Sequence, residues 1–443
     1  MKYIAFACWF FFLLNKTYGQ ETRNLSLEEA FLFALANRQE IKAQALQVQI
    51  AESSDDKIRA QWKPSLSASA DLRWNTQLQS NVLPIGAFGI PGVAPDATRT
   101  VRFGTPFSNT LSLQAEQKIY DANRNIDRRI NSNETDIQRN ELRRRVSDLR
   151  YELAAAYYNA LWQQERVRLS MQAVNRVQVL LNEGKVRFQN GDLLQNDLDR
   201  LLLDENNARF ILNKAESDLA LAWKNLNYLM RAPDGTAWVL SDNLEQLWSQ
   251  SASAFPFPRL ENHPEIRAEQ LDAQKHELQG QKQLAQLRPA VEAYGNYTLL
   301  QLHDQPNPFA PDTWFPFNYI GIRATVPIYD GRITRLEARD HTLRSEISRL
   351  NAEQLEADFA YQTAQYRAAL QQAELEMEQA RRNLQFAKQM YDSDALRFMQ
   401  GVILISALRD SAFAGQQAEN NYLSATYNWL TTVLNYRKAA GGW

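Results

Sequence analysis

Between Ser65 and Trp74 apolar and polar residues alternate without a break. Leu66, Ala68, Ala70, Leu72 and Trp74 take one parity, and Ser65, Ser67, Ser69, Asp71 and Arg73 take the other. Period two with one apolar side predicts a strand with two unlike faces. The pattern returns in 110–120, where Leu111, Leu113, Ala115 and Ile119 oppose Thr110, Ser112, Gln114, Glu116 and Lys118, with Gln117 the polar exception. It returns again in 290–298, where Val291, Ala293, Gly295 and Tyr297 oppose Glu292, Tyr294, Asn296 and Thr298. In 318–328, Ile320, Ile322, Ala324, Val326 and Ile328 oppose Tyr319, Arg323 and Thr325. Each stretch is about 10 residues, the length of one tilted transmembrane strand.

The remainder has a different period. No glycine or proline interrupts 108–183 or 332–400. The second run, helical throughout, would be on the order of 100 Å long. Val146, Leu149, Leu153, Ala156, Ala160, Val167, Val174, Val177 and Leu181 keep three-and-four spacing. Leu198, Leu201, Ala208, Leu212, Ala215, Leu219, Ala222, Leu226 and Leu229 continue it, with Glu205 the exception. Leu370, Ala373, Met377, Ala380, Leu384, Ala387 and Tyr391 repeat it. These are coiled-coil seams, which predict long paired helices.

The two patterns occur twice in the same order. Asn37 to Ala43 returns as Asn262 to Ala268, Ile119-Tyr120-Asp121 as Ile328-Tyr329-Asp330, and Arg187-Phe188-Gln189-Asn190-Gly191 as Arg397-Phe398-Met399-Gln400-Gly401. A period this long marks one supersecondary unit used twice. The expected organisation is a first repeat over 20–231, with strand pair 65–74 and 110–120 and a helical tip near 184–193. A linker follows over 232–263. The second repeat covers 264–443, with strand pair 290–298 and 318–328 and a tip near 398–403. Gly191 and Gly401 are placed to end a long helix without steric penalty.

Met1-Lys2, the apolar run to Leu14 and a small residue before Gln20 read as a secretory signal peptide over 1–19. The one cysteine, Cys8, falls inside it, so no thiol, disulfide or cysteine metal site is expected in the mature chain. No other run reaches the roughly 20 apolar residues of a membrane-spanning helix, and mean hydropathy is −0.49. Any crossing of a bilayer must therefore use strands. The formal charge of −2, with both signs interspersed, argues against a nucleic-acid surface. His263, His276, His303 and His341 are scattered, and there is no serine elbow. No catalytic, cofactor or metal site is expected.

Charged residues on the polar side of each strand suit a water-filled lumen. Aromatics near the strand ends suit interfacial girdles, with Trp74, Trp314 and Phe317 on the loop side and Tyr120 and Tyr329 on the helix side. Four strands cannot close a barrel, and an open edge cannot face lipid. Copies of the chain must share one, and two or three copies both satisfy closed symmetry. The alternatives are, for the strands, a soluble four-stranded sheet packed on a helix and, for the chain, a periplasmic adaptor or coiled-coil scaffold without a pore, of which an adaptor would show one helical hairpin inserted in soluble β domains.

These pieces resemble the TolC-like outer membrane efflux proteins over essentially the whole mature chain. The carriers are Leu25-Ser26-Leu27-Glu28-Glu29-Ala30, the prolines 64 and 289 ahead of strands, Pro327-Ile328-Tyr329-Asp330-Gly331-Arg332, and the two glycine tips. The resemblance implies a mainly α fold with a small membrane β part. Duplicated long helical hairpins would form an α-helical barrel in a homotrimer, continued by a shared 12-stranded outer-membrane β-barrel. It implies an outer-membrane exit duct with a periplasmic helical extension, working passively with a periplasmic adaptor and an RND, ABC or MFS inner-membrane pump. Asn190, Gly191, Asp192, Gln400, Gly401 and Val402 would be the adaptor-contacting tips. In the same alignment Asp197 matches an acidic lock residue and Asp410 an inner acidic ring. Phe398, Ile403 and Ala407 replace the lock tyrosine, the lock arginine and the other ring carboxylate. The expectation is that Phe398 and Ile403, with Arg397 or Arg409, close the mouth instead. Asp410 is either a cation-favouring ring or an ordinary solvated charge.

Overall fold

The structure is a computed structural model that describes residues 23–88, 91–92, 94–233, 238–244, 246–247, 260–310 and 313–442. The expected signal peptide lies outside these residues, as do 234–237, 245 and 248–259 of the expected linker. The elements run β1 (Arg23–Leu25), α1 (Leu27–Asn37), α2 (Gln39–Ala60), β2 (Ser65–Trp74), β3 (Ser80–Leu83), β4 (Arg99–Arg102), β5 (Phe107–Asp121), α3 (Arg124–Gln189) and α4 (Gln195–Met230). They continue β6 (Trp238–Leu240), α5 (Pro264–Ala285), β7 (Ala290–His303), β8 (Trp314–Thr325), α6 (Ile333–Met399) and α7 (Ile405–Ala439). The chain divides into two compact units, one made of Leu46–Arg139 and Glu269–Leu350 and the other of the rest.

The first of these units holds the sheet. β2, β5, β7 and β8 pair in that order, all antiparallel. The strands extend further towards the connecting loops than the alternation indicated. β5 begins at Phe107, and β7 continues to His303. The reason is a satisfied polar pair. Asn109 donates to Gln301 at 2.7 Å, and Gln301 in turn donates to the Asn307 carbonyl and the Thr313 hydroxyl, so these buried amides do not interrupt the ladder. β8 occupies 314–325 instead of 318–328, and Pro327, which has no N–H for a ladder, stands just beyond its end.

A second difference is a bulge in β5. Lys118 lies opposite Glu292 and Tyr120 opposite Val291, which leaves Ile119 as the extra residue. Ile119 therefore leaves the apolar ladder, and Tyr120 moves into it. The repeated Tyr-Asp pair also acquires a local role. The Asp121 carboxylate accepts from the Asn123 N–H in the turn before α3, while that of Asp330 accepts from the Arg332 and Thr334 N–H groups and so caps the start of α6.

In the other unit, α1 starts with a capping box in which Ser26 and Glu29 each bond the other's backbone N–H. Its core gathers Leu153, Tyr157, Leu226, Leu430 and Trp429, all fully buried. The Tyr157 hydroxyl sits 2.8 Å from both the Leu25 carbonyl and the Asp242 carboxylate, and that carboxylate also accepts from the Leu27 N–H. One tyrosine thus ties α3 to the C-terminal ends of both strands of the small parallel pair β1 and β6.

Each long helix ends in the same turn. After α3 the Asp192 N–H bonds the Arg187 carbonyl and the Gly191 N–H bonds that of Phe188. After α6 the pairs are Val402 to Arg397 and Gly401 to Phe398. This is the Schellman pattern, with glycine at φ 82° and 73° respectively. Gly184, included in the expected first tip, is instead inside α3. Its role there is close packing, since a Cβ would stand 2.5 Å from Leu201 Cδ1.

Candidate functional site

The sheet carries one face of each kind. Ala68, Leu113 and Tyr297 form one cross-strand row, and Ala70, Leu111 and Leu299 the next. With Ile320 and Ile322 on the same side of β8, they form the apolar face. On the opposite face Ser69 and Ser112 touch at 2.8 Å with Thr298 beside them, and Arg323 reaches Glu292 at 2.7 Å. Among the described residues the apolar face is largely uncovered. Every residue of β2 is exposed, and Leu66, Ile320 and Ile322 are 69, 92 and 71% exposed. A sheet stabilised by packing on a helix would bury that side. Among the described residues the edges β2 and β8 are also unpaired. Apolar side chains and open ladder amides left in this state require both a hydrocarbon solvent and further strands.

The expected girdle residues separate. Trp74 stacks on Phe107 at 6.2 Å on the apolar side, and Trp314 shares that parity while its indole N–H donates to the Pro308 carbonyl. Tyr120 joins them through the bulge, and Tyr329 is exposed just beyond β8. Phe317 does not join them. It lies opposite Thr298, on the polar face, because it has the opposite parity from Ile320 and Ile322. This corrects its place in the girdle.

At the tips Asn190, Gly191, Asp192, Gln400, Gly401 and Val402 are all exposed. Leu194, Met399, Val402 and Leu404 add a cluster of exposed apolar side chains there. Phe398 is not at the surface. It is 7% exposed, packed with Leu180, Leu181, Leu198, Leu201, Ile405 and Leu408, with Ile403 partly buried beside them. The Arg187 guanidinium lies 4.3 Å over the Phe398 ring and is held by Glu183. Both residues assigned to the mouth therefore join the two hairpins of one chain.

Asp197 pairs with Arg200 on its own helix at 3.7 Å. Asp410 is exposed and held by the neighbouring Arg409 at 2.9 Å. Arg409 also reaches towards Asp204 on α4, at 4.0 Å. Asp204 and Arg409 together escaped the sequence reading, because only the packing of α4 on α7 brings them near each other. Burial pushes the Asp204 carboxyl above its ordinary range, and the Asp410 charge adds to this while Arg409 opposes it. The three groups border a cavity of about 340 Å³ with Val177, Ile211 and Phe413 on its apolar wall.

Among the described residues no group of three or more His, Cys, Asp or Glu could hold a metal ion. No described helix is long and apolar enough to cross a membrane. A two-faced sheet of barrel-length strands, uncovered on its apolar side and duplicated together with long helical hairpins, defines a subunit of an outer-membrane channel.

Comparison with known proteins narrows the class. Residues 33–230 match the family described as outer membrane efflux protein, and no curated protein matches the chain. Among solved structures, CusC, described as forming a transmembrane channel, superposes with TM-score 0.74 at 15% identity, over 97% of this chain and 96% of that one. The Campylobacter jejuni outer membrane channel CmeC gives 0.72 at 13%, over 94% and 85%. The Vibrio cholerae outer membrane protein VceC gives 0.69 at 12%, over 94% and 96%. These likenesses show the fold. The family match covers a little under half of the chain, and the fold of the rest is that of the outer-membrane channels just named. Both the partial family match and the fold are those of outer membrane efflux channels. Channels of this family are trimeric, sit in the Gram-negative outer membrane, and work with adaptors and inner-membrane pumps.

Proposed function

We propose that three copies of this chain close one barrel, each giving four strands, and that the duct releases solutes handed to it by a periplasmic adaptor and an inner-membrane pump of the RND, ABC or MFS type. The observation that carries this reading is the uncovered apolar face of a sheet with both edges open. Because β2 and β8 run in opposite directions within that sheet, β8 of one copy meets β2 of the next in an antiparallel pair. The apolar face then meets lipid and the serine-rich face lines the conduit. Trp74 and Trp314 supply the outer aromatic belt, and Tyr120 and Tyr329 the inner one.

The exposed tips, with Gly191 and Gly401 at their turns and apolar Val402 and Leu404 beside them, are the docking points for the adaptor. The buried Phe398 cluster keeps the two tips of one chain together, so that they move as one body. Asp410, tied to Arg409, contributes an acidic ring at the mouth whose charge is partly balanced.

The test is purification in detergent, followed by membrane extraction and planar-bilayer recording. Retention in the outer membrane after carbonate washing, a trimer in detergent and stepwise ionic conductance are the expected results. A detergent-independent monomer released by salt would refute the reading.

A further inference from the structure

Phe317 is not alone on the polar face. Phe315, Phe317 and Tyr319 occupy alternate positions of β8 and share that side, each about half exposed. Alternate residues of one strand stand about 7 Å apart, so the rings form a ladder. It continues on β7, where Tyr294 meets Tyr319 edge-on with centroids 6.0 Å apart. Tyr294 is in turn laid over Gly321, where a Cβ would come within 2.7 Å of its hydroxyl oxygen. Glycine is therefore the residue that lets this ring lie flat along the sheet.

The chemistry of the surrounding rows is selective. Beside Tyr319 lie Asn296, Gln114 and Ser67, and beside Phe317 lie Thr298, Ser112 and Ser69, so these two rows hold no formal charge. The negative faces of the rings are then the main electrostatic feature. At the inner end Glu116 lies directly opposite Tyr294 and forms no ion pair among the described residues. Two cations flank this end: Lys118, opposite Glu292 on the same face, and Arg323, which is bound to Glu292 at 2.7 Å and sits 4.7 Å over the Tyr294 ring. That contact is itself an instance of the attraction a passing cation would feel.

We infer that Phe315, Phe317, Tyr319 and Tyr294, with Glu116 at their inner end, form a stacking track for planar aromatic cations on the conduit face of the barrel. The inference rests on the duct reading, which makes this face the lumen. The track gives an amphiphilic solute a series of equivalent stacking sites in place of one deep well, a condition for passage without trapping. Non-aromatic cations and aromatic anions gain less, the first for want of a ring to stack and the second because ring faces and Glu116 repel them.

The experiment uses the full-length protein in planar bilayers. Ethidium, tetraethylammonium and pyrenesulfonate are added in turn on the barrel side, and ethidium fluorescence anisotropy is measured with the detergent-purified protein. Ionic conductance in the same records tests the duct itself, so its absence sinks the duct reading, while anisotropy still reports on the track. Ethidium should give resolved current blocks and raised anisotropy, and the other two probes should not. A triple variant Phe315→Ser, Phe317→Ser, Tyr319→Ser should shorten the ethidium blocks about tenfold or more and lower the anisotropy. The bulk-preserving variant Phe315→Leu, Phe317→Leu, Tyr319→Leu should do nearly the same, because it keeps apolar volume and removes the π faces. Equal blocking by pyrenesulfonate, or ethidium blocks and anisotropy unchanged in both variants, would overturn the inference. Full retention in the leucine variant would also overturn it, by reducing the track to plain hydrophobic contact.

Discussion

Replacing Phe398 with alanine removes the largest side chain from the cluster that joins the two tips. A buried Phe→Ala change costs about 3–5 kcal/mol through lost transfer energy and the cavity left behind. Loss of the ring under the Arg187 guanidinium adds about 0.5–1 kcal/mol. The cluster is small and lies at the turns, where neighbours can partly collapse, so a value near the lower end, about 3 kcal/mol, is appropriate. It is also separate from the main core around Trp429 and Tyr157. The cost should therefore appear as local opening instead of global unfolding. At 1.4 kcal/mol per tenfold, about 3 kcal/mol raises the local opening equilibrium roughly 100-fold. The assay is amide hydrogen exchange over 391–408 in the detergent-solubilised trimer, with single-channel recording in parallel. Protection in that segment should fall by about two orders of magnitude while 149–161 is unchanged, and open probability should rise. The control is Phe386→Ala, since that side chain is 67% exposed within the chain. Unchanged exchange at the tips, or an equal change in the control, would refute the argument.

Three further outcomes follow from the packing. The raised Asp204 carboxyl means that its ionised form costs tip stability at neutral pH. That cost disappears as pH falls through the raised value towards the ordinary aspartate value of about 3.9. Tip protection of the wild type should thus improve on acidification relative to Asp204→Asn, and parallel pH profiles would contradict this. Tyr157→Phe leaves the Leu25 carbonyl and the Asp242 carboxylate without the hydroxyl, at a cost of about 1–3 kcal/mol. Thermal melting should fall accordingly, and an unaltered melt would show that water replaces the hydroxyl without loss. Gly184→Val forces β-carbon branches against the buried Leu201 and should destabilise by about 1–3 kcal/mol. Partial rescue by a simultaneous Leu201→Ala is the check, and additive losses would exclude the clash.

The sheet was legible because two-residue periodicity sorts side chains into faces without knowledge of anything else. Leu66 to Trp74 and Leu111 to Ala115 fell opposite one another with the parities the alternation required. The bulge was hidden because Ile119 and Tyr120 are both apolar enough for either place, and a one-residue insertion leaves no mark in such a pair. Phe317 was misplaced for a different reason. An aromatic side chain near a strand end suits a girdle by composition, but the parity of Ile320 and Ile322 puts Phe317 on the other side. At the tips, Phe398 stands seven residues after Tyr391, so its burial extends the seam by one heptad, whereas the resemblance had placed it at the mouth. The approach of Arg409 to Asp204 depends on the rotation of one helix against another, which seam spacing alone does not determine.

The open-sided sheet has a consequence for how the protein comes into being. An isolated chain in water would have to expose a row of isoleucines and leucines together with the outward-pointing amides of two edge strands. On the reading that copies of the chain share one barrel, folding of this part is an intermolecular event that waits for sister chains and for bilayer. The helices can form earlier, on local contacts alone. Its melting behaviour will depend on protein concentration, and a chaperone that shields those strands before assembly meets a need written into their side chains.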